Sequence, residues 1–284
     1  MILSVSRRTD IPAFYSEWFY NRIHAGFAMT RNPFNLSQVR RVEFAECDCA
    51  VFWTKDPAPM LPRLGEIIFP YYFQFTLTPY DRTIESGLPD KSTLIHTFHA
   101  LSQIVGPSRV IWRYDPIILN DTLTIDYHKA AFTALCQALS GAAERVTISF
   151  VDLYPKLRTP LVRAVSGSEI AALAEFIGNT ARAYGFIPTA CCESSDLSPY
   201  GITQAHCIDA GLIRAVCGRP IPLRQDRSQR PGCGCAEAVD IGVYNTCRHG
   251  CVYCYANYSA ASVRRNTARH NPYSPFLIGE NEVT

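Results

Sequence analysis

A single α/β domain folded as a partial (β/α) barrel resembling a TIM barrel is the fold class that the sequence predicts, and three observations predict it. The chain has 284 residues, which fits one barrel of roughly 250 residues or two ordinary domains of about 150. Short runs rich in β-branched and aromatic residues alternate with stretches whose apolar residues recur at helical spacing. No repeat, low-complexity segment or linker divides the chain, so residues 1–284 are predicted to form one domain.

Seven runs along the chain are predicted to be strands. They are residues 2–6, 49–54, 71–77, 109–114, 146–151, 186–191 and 239–245. Helices are predicted between them, most clearly at 125–139 and 168–184, which follow Thr124 and begin at Ser168, both suitable N-cap residues. Because parallel neighbours need a long return path, this alternation predicts a parallel sheet with helical crossovers.

Polar or reactive residues follow the carboxyl end of each predicted strand. At any one strand they could simply mark its end, but in a parallel barrel these ends converge on one rim, which holds the active site. Their recurrence at all seven strands therefore predicts an enzyme. The predicted substrate contacts on this rim, of which the first three are the catalytic candidates, are Lys55, Asp115, Asp152, Lys156 and Glu193.

Composition and charge favour the cytosol but name no partner. The formal net charge of +2 is too small for binding nucleic acid through a diffuse positive field. No apolar run approaches the roughly 18 residues of a membrane span, and the first residues lack the apolar region of a signal peptide. We therefore expect a cytoplasmic protein with no membrane partner and with a small-molecule or otherwise unknown substrate.

Twelve cysteines stand out from this composition. A cytosolic protein of this size has little use for disulfides and more often uses thiols to bind metal. Cys47, Cys49 and Cys136 are scattered early in the chain, and they and Cys217 are predicted to be buried small residues. The nine cysteines between positions 191 and 254 predict metal or cluster ligation in the last third of the chain.

The segment 240–257 carries the most specific motif. Cys247, Cys251 and Cys254 have Cys-x3-Cys-x2-Cys spacing in a loop after a predicted strand. Three thiolates at this spacing can hold three corners of a four-iron cluster and leave the fourth iron open to a small molecule. Gly250 gives the loop conformational freedom, and a helix predicted to begin near Cys254 would point backbone N–H groups at the anionic cluster.

With the aromatic Tyr253 directly before its third cysteine, this motif resembles the hallmark of the radical S-adenosylmethionine superfamily. The loop is also similar to that of the superfamily's spore-photoproduct-lyase-like branch. The resemblance implies a 4Fe-4S cluster on the three cysteines, S-adenosylmethionine with its adenine beside Tyr253, and a reductant such as flavodoxin or ferredoxin. The whole chain also resembles a bacterial family of unknown function, number 1848, through the segments 6–12, 75–80 and 112–116.

The superfamily's cluster loop follows the first strand of its barrel, whereas this loop follows the last predicted strand, in the region 239–266. A circular permutation accounts for the difference, because the termini of compact domains often lie close together and can be relocated. The strand at 239–245 would then be the first in the sheet and that at 2–6 the second. The third to sixth would begin at 49, 71, 109 and 146, and the strand at 186–191 would extend the sheet.

The superfamily's Gly-Gly-Glu is absent after the second strand of this order, where residues 6–9 stand instead. Arg7 or Arg8 is predicted from its position to bind the methionine carboxylate of S-adenosylmethionine. Gln74, Thr76 and Arg113 lie on strands that contact the ribose and carboxylate in relatives, so they are predicted to bind the cofactor as well.

A second group of cysteines lies in the irregular region 191–238. The predicted ligands of a second iron–sulfur cluster, with Cys192 as the alternative to its neighbour, are Cys191, Cys207, Cys233 and Cys235. Geometry opposes this prediction, because Cys191 ends a strand whereas Cys235 precedes one, and the ends of a five-residue strand are roughly 17 Å apart. Only a loop at 218–237 that folds back over the rim would bring them together.

Two other functions remain open at this point. The first is a non-catalytic zinc or iron–sulfur protein, in which His249, Cys235 or His270 would complete a zinc site in the loop. The second is a nucleic-acid repair enzyme similar to spore photoproduct lyase. The arginines at 264–265 and 269 favour it, and the small net charge opposes it.

Overall fold

The computed structural model describes residues 1–154, 157, 159–230 and 232–279, and a large parallel sheet lies at its centre. The strands of the described residues are β1 (Ile2–Val5), β2 (Phe27–Asn32), β3 (Asn35–Glu43), β4 (Cys49–Thr54), β5 (Tyr71–Thr76), β6 (Val110–Ile117), β7 (Arg145–Phe150), β8 (Ile187–Cys191), β9 (Thr203–Ala205) and β10 (Val239–Asp240). All except β2 and β3 belong to the large sheet, and its neighbours pair in parallel. The predicted α/β class with a parallel sheet is confirmed.

The strands of the large sheet lie in the order β10-β1-β4-β5-β6-β7-β8-β9. The sequence predicts the first seven places of this order, with the strand near residue 239 beside the amino-terminal strand, and β9 extends it. Among the described residues the order has two ends, β10 and β9. The structure is therefore compatible with a TIM-like α/β fold without showing that a barrel closes.

The predicted strand at 239–245 is too long, because only Val239–Asp240 pairs with β1. After this pair the carboxylate of Asp240 accepts hydrogen bonds from the Ser4 hydroxyl at 2.6 Å and from the backbone N–H of Gly242 at 2.9 Å. The second of these bonds turns the chain away from the sheet. The rest of the predicted strand therefore forms the start of the cysteine loop.

The helices connect the strands as predicted. Those of the described residues are α1 (Ile11–Phe14), α2 (Ser16–Ala25), α3 (Lys91–Val105), α4 (Ile125–Leu139), α5 (Gly167–Ala183), α6 (Ala210–Cys217) and α7 (Ala260–Thr267). Thr124 caps α4 as predicted, but Ser166 rather than Ser168 caps α5, because Ser166 and Glu169 form a capping box. In the described part of the chain, none of the helices has the length and apolar character needed to cross a membrane.

The two faces of the large sheet pack against different parts of the chain. One face forms the main apolar core with α2 to α5, where Trp112 is fully buried and stacks on Phe132 of α4 at 5.3 Å. On the other face, Tyr72 and Ile111 pack with α6 and the cysteine-rich region. Since side chains two residues apart on a strand share a face, Gln74 and Arg113 point toward that region.

The hairpin of β2 and β3 is absent from the sequence-based prediction. Residues 35–41 of β3 are all exposed, so their sequence carries no alternation of apolar and polar residues that would indicate a strand. The hairpin instead depends on contacts distant in sequence, such as the hydrogen bond from the Met29 backbone N–H to the Pro275 carbonyl at 2.8 Å. The local sequence pattern therefore does not predict the hairpin or its contact with Pro275.

His128 of α4 gives the first testable prediction. It is buried, with Nδ1 2.7 Å from the Tyr114 hydroxyl and Nε2 2.8 Å from the Ile118 carbonyl oxygen. Burial lowers the pKa of His128 below its usual 6.5. The unfolded chain therefore binds the proton more readily, and the free energy of unfolding should fall as the pH drops below 6.5.

A His128→Gln variant should show a weaker dependence of its unfolding free energy on pH between about 7 and 5, measured by urea denaturation, because the group that titrates there is gone. His96 is exposed on α3, so His96→Gln is the matched control and should keep the pH profile of the parent protein. Identical profiles for the parent and His128→Gln would contradict the prediction.

Candidate functional site

The loop 241–259 runs from the carboxyl end of β10 to α7 and carries the three-cysteine motif. Residues 84–87 contact it through two backbone hydrogen bonds. The N–H of Val252 donates to the Ile84 carbonyl at 3.0 Å, and the N–H of Gly87 donates to the His249 carbonyl at 2.8 Å. Because β10 lies beside β1, the loop stands at the same edge of the sheet as the residues that follow β1.

Gly87 permits the close approach of these two segments. A Cβ atom at this position would lie 2.6 Å from the Arg248 carbonyl oxygen and 2.9 Å from that of His249. We expect Gly87→Ala to push the loop away and to cost about 1–3 kcal/mol of unfolding free energy, measured by urea denaturation. Gly65→Ala, where a Cβ atom meets nothing within 4 Å, is the matched control. Equal losses in both variants would contradict this reading of the contact.

The three thiols of the loop are half-buried and lie near one another. Burial raises the pKa of Cys247 and of Cys254, and it raises that of Cys251 to about 12. The charges of Cys251 and Cys254 raise the pKa of Cys247 further. Three thiols so close together cannot all ionise without a positive partner, and a bound metal supplies one.

Several donors point at these sulfur atoms. The backbone N–H of His249 donates to the sulfur of Cys247, and those of Ala256 and Asn257 donate to that of Cys254. The ammonium group of Lys55 also lowers the pKa values of Cys251 and Cys254. Hydrogen-bond donors and a cation stabilise sulfur in its thiolate form, which is the form that ligates metal.

The prediction of a helix that begins near Cys254 is wrong. Helix α7 begins at Ala260, and Ser259 caps it by accepting from the N–H of Ser262 at 3.1 Å. Residues 254–258 instead form an irregular, bent segment, in which the Asn257 side chain donates a hydrogen bond to the Cys247 carbonyl at 2.8 Å. The donors to the sulfur atoms are therefore loop N–H groups. The expected freedom at Gly250 is confirmed by its φ of 68°.

Glu85 is a buried carboxylate at the centre of the site. Its oxygens accept from the ammonium groups of Lys55 and Lys91, both at 2.7 Å, and from the Thr78 hydroxyl at 2.7 Å. The Tyr253 hydroxyl donates to it as well. Burial alone would raise the pKa of Glu85, but Lys55 and Lys91 hold it at about 2. The carboxylate therefore positions both the catalytic candidate Lys55 and the aromatic residue of the motif.

A second buried acid lies behind the loop. Asp10 Oδ2 accepts from the backbone N–H of Lys55 at 2.7 Å and contacts His249 Nε2 at 2.7 Å. Its other oxygen caps α1. Nδ1 of His249 is buried and has no hydrogen-bond partner among the described residues. Asp10 thus connects the end of β4 to the cysteine loop.

Sequence reasoning missed Glu85, Lys91 and the role of Asp10. Glu85 lies nine residues beyond the end of β5 in a polar stretch, so neither periodicity nor its distance from a strand end marks it. Asp10 follows β1 and stands before Ile11-Pro12, which is an N-cap signal. That signal explains only its contact with α1 and leaves the contact with His249 unpredicted.

Arg113 and Gln74, predicted to bind S-adenosylmethionine, contact the second group of cysteines in the structure. Arg113 Nη1 donates to the Cys207 sulfur at 3.2 Å, and Gln74 Nε2 donates to the Cys207 carbonyl at 3.0 Å. Arg113 also forms an ion pair with the catalytic candidate Asp115. Thr76 is half-buried on β5 and pairs with Arg113 in the ladder.

The arginines after β1 lie nearer the loop. The guanidinium of Arg7 stands 5.8 Å from the centre of the Trp53 ring, and its backbone carbonyl accepts from the Tyr255 hydroxyl at 2.5 Å. The guanidinium of Arg8 stands 5.6 Å from the Tyr244 ring and lines a cleft of about 420 Å³. The Arg8 side chain and the Arg7 backbone therefore contact the loop.

The remaining rim candidates follow β7 and β8. Asp152 is exposed and forms an ion pair with Arg230. Glu193 accepts from the backbone N–H of Phe150 at 2.9 Å, and burial raises its pKa to about 7. Lys156 lies outside the described residues.

The four cysteines predicted as ligands of a second cluster lie together. The sulfur atoms of Cys191 and Cys207 are 3.0 Å apart, the Cys235 side chain lies near those of Cys207 and Cys233, and none of the four is in a disulfide. Residues 207–223 and 233–238 pack on one face of the sheet, which removes the distance objection. Within the described residues, no three histidine, cysteine, aspartate or glutamate side chains are already arranged around one point as metal ligands.

Fold and site together define an α/β protein with one group of thiols in a loop at the carboxyl edge of a parallel sheet and a second group packed against a face of that sheet. A family model described as a domain of unknown function (DUF1848) matches residues 2–256. The chain therefore belongs to this family, as its resemblance to family number 1848 predicted, and the match includes both groups of cysteines. Comparisons with curated proteins and with solved structures gave no match.

Proposed function

We propose that the protein is a radical S-adenosylmethionine enzyme in which Cys247, Cys251 and Cys254 hold a 4Fe-4S cluster. The observation that carries the proposal is the position of their loop, at the carboxyl edge of the parallel sheet and directly after the strand beside β1. A circular permutation of the superfamily's partial barrel would produce this arrangement. Parallel α/β folds also keep their active sites at this edge.

The donor set in the loop fits such a cluster. Its thiols receive backbone N–H donors and lie near the Lys55 ammonium, surroundings that stabilise anionic sulfur. When bound and reduced, the cluster would supply an electron that cleaves the sulfonium of S-adenosylmethionine and releases a 5′-deoxyadenosyl radical to abstract hydrogen from substrate. The protein's part is to hold, orient and shield these groups.

Residues around the loop suit those tasks. Because Glu85 holds both Tyr253 and Lys55, the aromatic ring and the ammonium group keep fixed positions relative to the cysteines. Lys55 also interacts electrostatically with Asp115, so these two catalytic candidates face a common space. We assign the methionine carboxylate to Arg7 or Arg8, because Arg113 is held closely by Asp115, whereas Arg8 Nε lies as far as 4.0 Å from the nearest Asp240 oxygen.

The test is anaerobic purification and reconstitution with iron and sulfide, followed by reduction with dithionite in the presence of S-adenosylmethionine. We expect 5′-deoxyadenosine to form slowly without substrate and faster when cell extract supplies one. A fully iron-loaded protein that forms none under either condition would overturn the catalytic proposal.

A zinc-binding protein is the second candidate, and His249 favours it. Its Nε2 contacts Asp10 while its buried Nδ1 has no partner among the described residues, and a carboxylate commonly orients a metal-ligating histidine in this way. Of the other predicted fourth ligands, Cys235 belongs to the second group of cysteines, and His270 Nδ1 is 2.8 Å from the Leu277 carbonyl oxygen. Loop zinc without iron after anaerobic purification, lost in His249→Gln, would favour this candidate over the enzyme.

A further inference from the structure

We propose that Cys191, Cys207, Cys233 and Cys235 form a separate site for one soft divalent metal ion held by four thiolates, with zinc as the best-fitting ion. The site goes beyond the proposed radical chemistry, since it shares none of the cysteines of the loop 241–259. Nothing in the cleavage of S-adenosylmethionine requires it.

The first argument is that four thiols from three distant segments make one continuous set of contacts. Cys191 ends β8 and its sulfur lies 3.0 Å from that of Cys207, two residues beyond β9. The side chain of Cys235 lies close enough to those of Cys207 and Cys233 for each pair to affect the other's ionisation. Free thiols gathered from separate segments of one chain are the usual donors of a structural zinc site.

The spacing of the sulfur atoms favours one ion over a cluster. Zinc–sulfur bonds of about 2.3 Å place tetrahedral thiolates about 3.8 Å apart, so the pair at 3.0 Å would need to separate by less than about 1 Å. A four-iron cluster puts iron and sulfide between its cysteine sulfurs and would force all of these contacts apart. The structure thus points to a different centre from the second iron–sulfur cluster that the sequence predicts.

Charged and polar donors around the sulfurs suit thiolates. Arg113 Nη1 donates to the Cys207 sulfur at 3.2 Å, and the backbone N–H of Ile208 donates to that of Cys235 at 3.5 Å. The Arg113 side chain is nearly inaccessible to solvent, at 8% exposure. A buried guanidinium is stabilised by anionic partners, and one carboxylate together with a metal-bound thiolate provides them.

The segment 233–235, which carries Cys233 and Cys235, is held in place by hydrogen bonds to its backbone carbonyls. The N–H of Asp226 donates to the Cys235 carbonyl at 2.9 Å, and the Gln225 side chain donates to the Cys233 carbonyl at 3.0 Å. Between the two cysteines, a Cβ on Gly234 would lie 2.2 Å from a carbon of the His206 ring. Glycine at position 234 leaves room for this imidazole to pack on the segment 233–235. The backbone that carries the two thiols is therefore fixed before any ion binds.

The experiment uses the full chain carrying Cys247→Ala, Cys251→Ala and Cys254→Ala, so that any metal bound is independent of the proposed cluster. We expect this variant to bind one equivalent of zinc, and cobalt in its place to give the intense visible absorption of a tetrahedral thiolate site. Adding Cys207→Ser should abolish both signals. Cys136→Ser removes a buried thiol of α4 outside the group and should abolish neither.

Cys233→Ser is the second variant, because Cys233 lies half-buried in a loop and its replacement should not prevent folding. It should weaken zinc binding while circular dichroism stays unchanged. A folded triple variant that takes up neither zinc nor cobalt would overturn the site, as would full zinc binding in both serine variants. Iron with acid-labile sulfide in the triple variant would overturn the assignment to a single ion.

Discussion

Replacing Cys247, Cys251 and Cys254 together by alanine should reduce the formation of 5′-deoxyadenosine to the rate seen with dithionite and S-adenosylmethionine alone. The three thiols are the only cysteines on the loop 241–259, and backbone N–H groups of the loop point at the sulfurs of Cys247 and Cys254. Without these thiolates the loop would offer the proposed cluster no cysteine ligand. Product is measured by chromatography after anaerobic reconstitution.

The matched control for this loss is Cys136→Ala, which removes a fully buried thiol of α4 far from the loop in sequence. It should lose some stability, because it leaves a small cavity, but keep its iron and its activity. The triple variant should also retain zinc at the second group of cysteines, which shows that it folds. Product formation by the triple variant at the rate of the parent protein would contradict the proposed function.

The parallel sheet was predictable because its strands carry their own signal. Buried strands such as Cys49–Thr54 and Tyr71–Thr76 are runs of β-branched and aromatic residues, and this pattern depends only on neighbouring residues. The neighbour relation of β10 and β1 was predictable for another reason, because the resemblance of the cysteine loop fixed which strand should come first. The length of β10 was not predictable, because it depends on contacts between distant residues. One of them is the hydrogen bond from the Ser4 hydroxyl to the Asp240 carboxylate, which joins residues 236 positions apart.

The candidate site, like the fold, has parts that the sequence predicts and parts that it does not. Cysteine spacing identified the loop, since ligands supplied by one short segment appear together in the sequence. Glu85 could not be identified, because its partners at positions 55, 78, 91 and 253 come from four separate segments. For the second group of thiols, composition suggested the ligands, whereas only the folded region 206–238 shows that they touch. Contacts between distant segments produce no periodic pattern in the sequence.

Glu85→Gln should cost about 3 kcal/mol of unfolding free energy. The change keeps the size of the side chain but removes the charge that Lys55 and Lys91 share, both at 2.7 Å from its oxygens. The two lysine side chains are only 14% and 27% exposed, so water replaces the carboxylate poorly. Urea denaturation at pH 7 measures the loss.

Two further variants separate this charge effect from a general effect of the substitution. Glu66→Gln removes a carboxylate that pairs with Arg63 at the surface, and such an exposed pair contributes little to stability, so this control should unfold at the same urea concentration as the parent. Adding Lys91→Met to Glu85→Gln removes one of the two unpaired cations and should restore part of the lost stability. If Glu85→Gln alone unfolds like the parent, or if the added change costs further stability, the buried charges do not hold Lys55 and Tyr253 in the way proposed here.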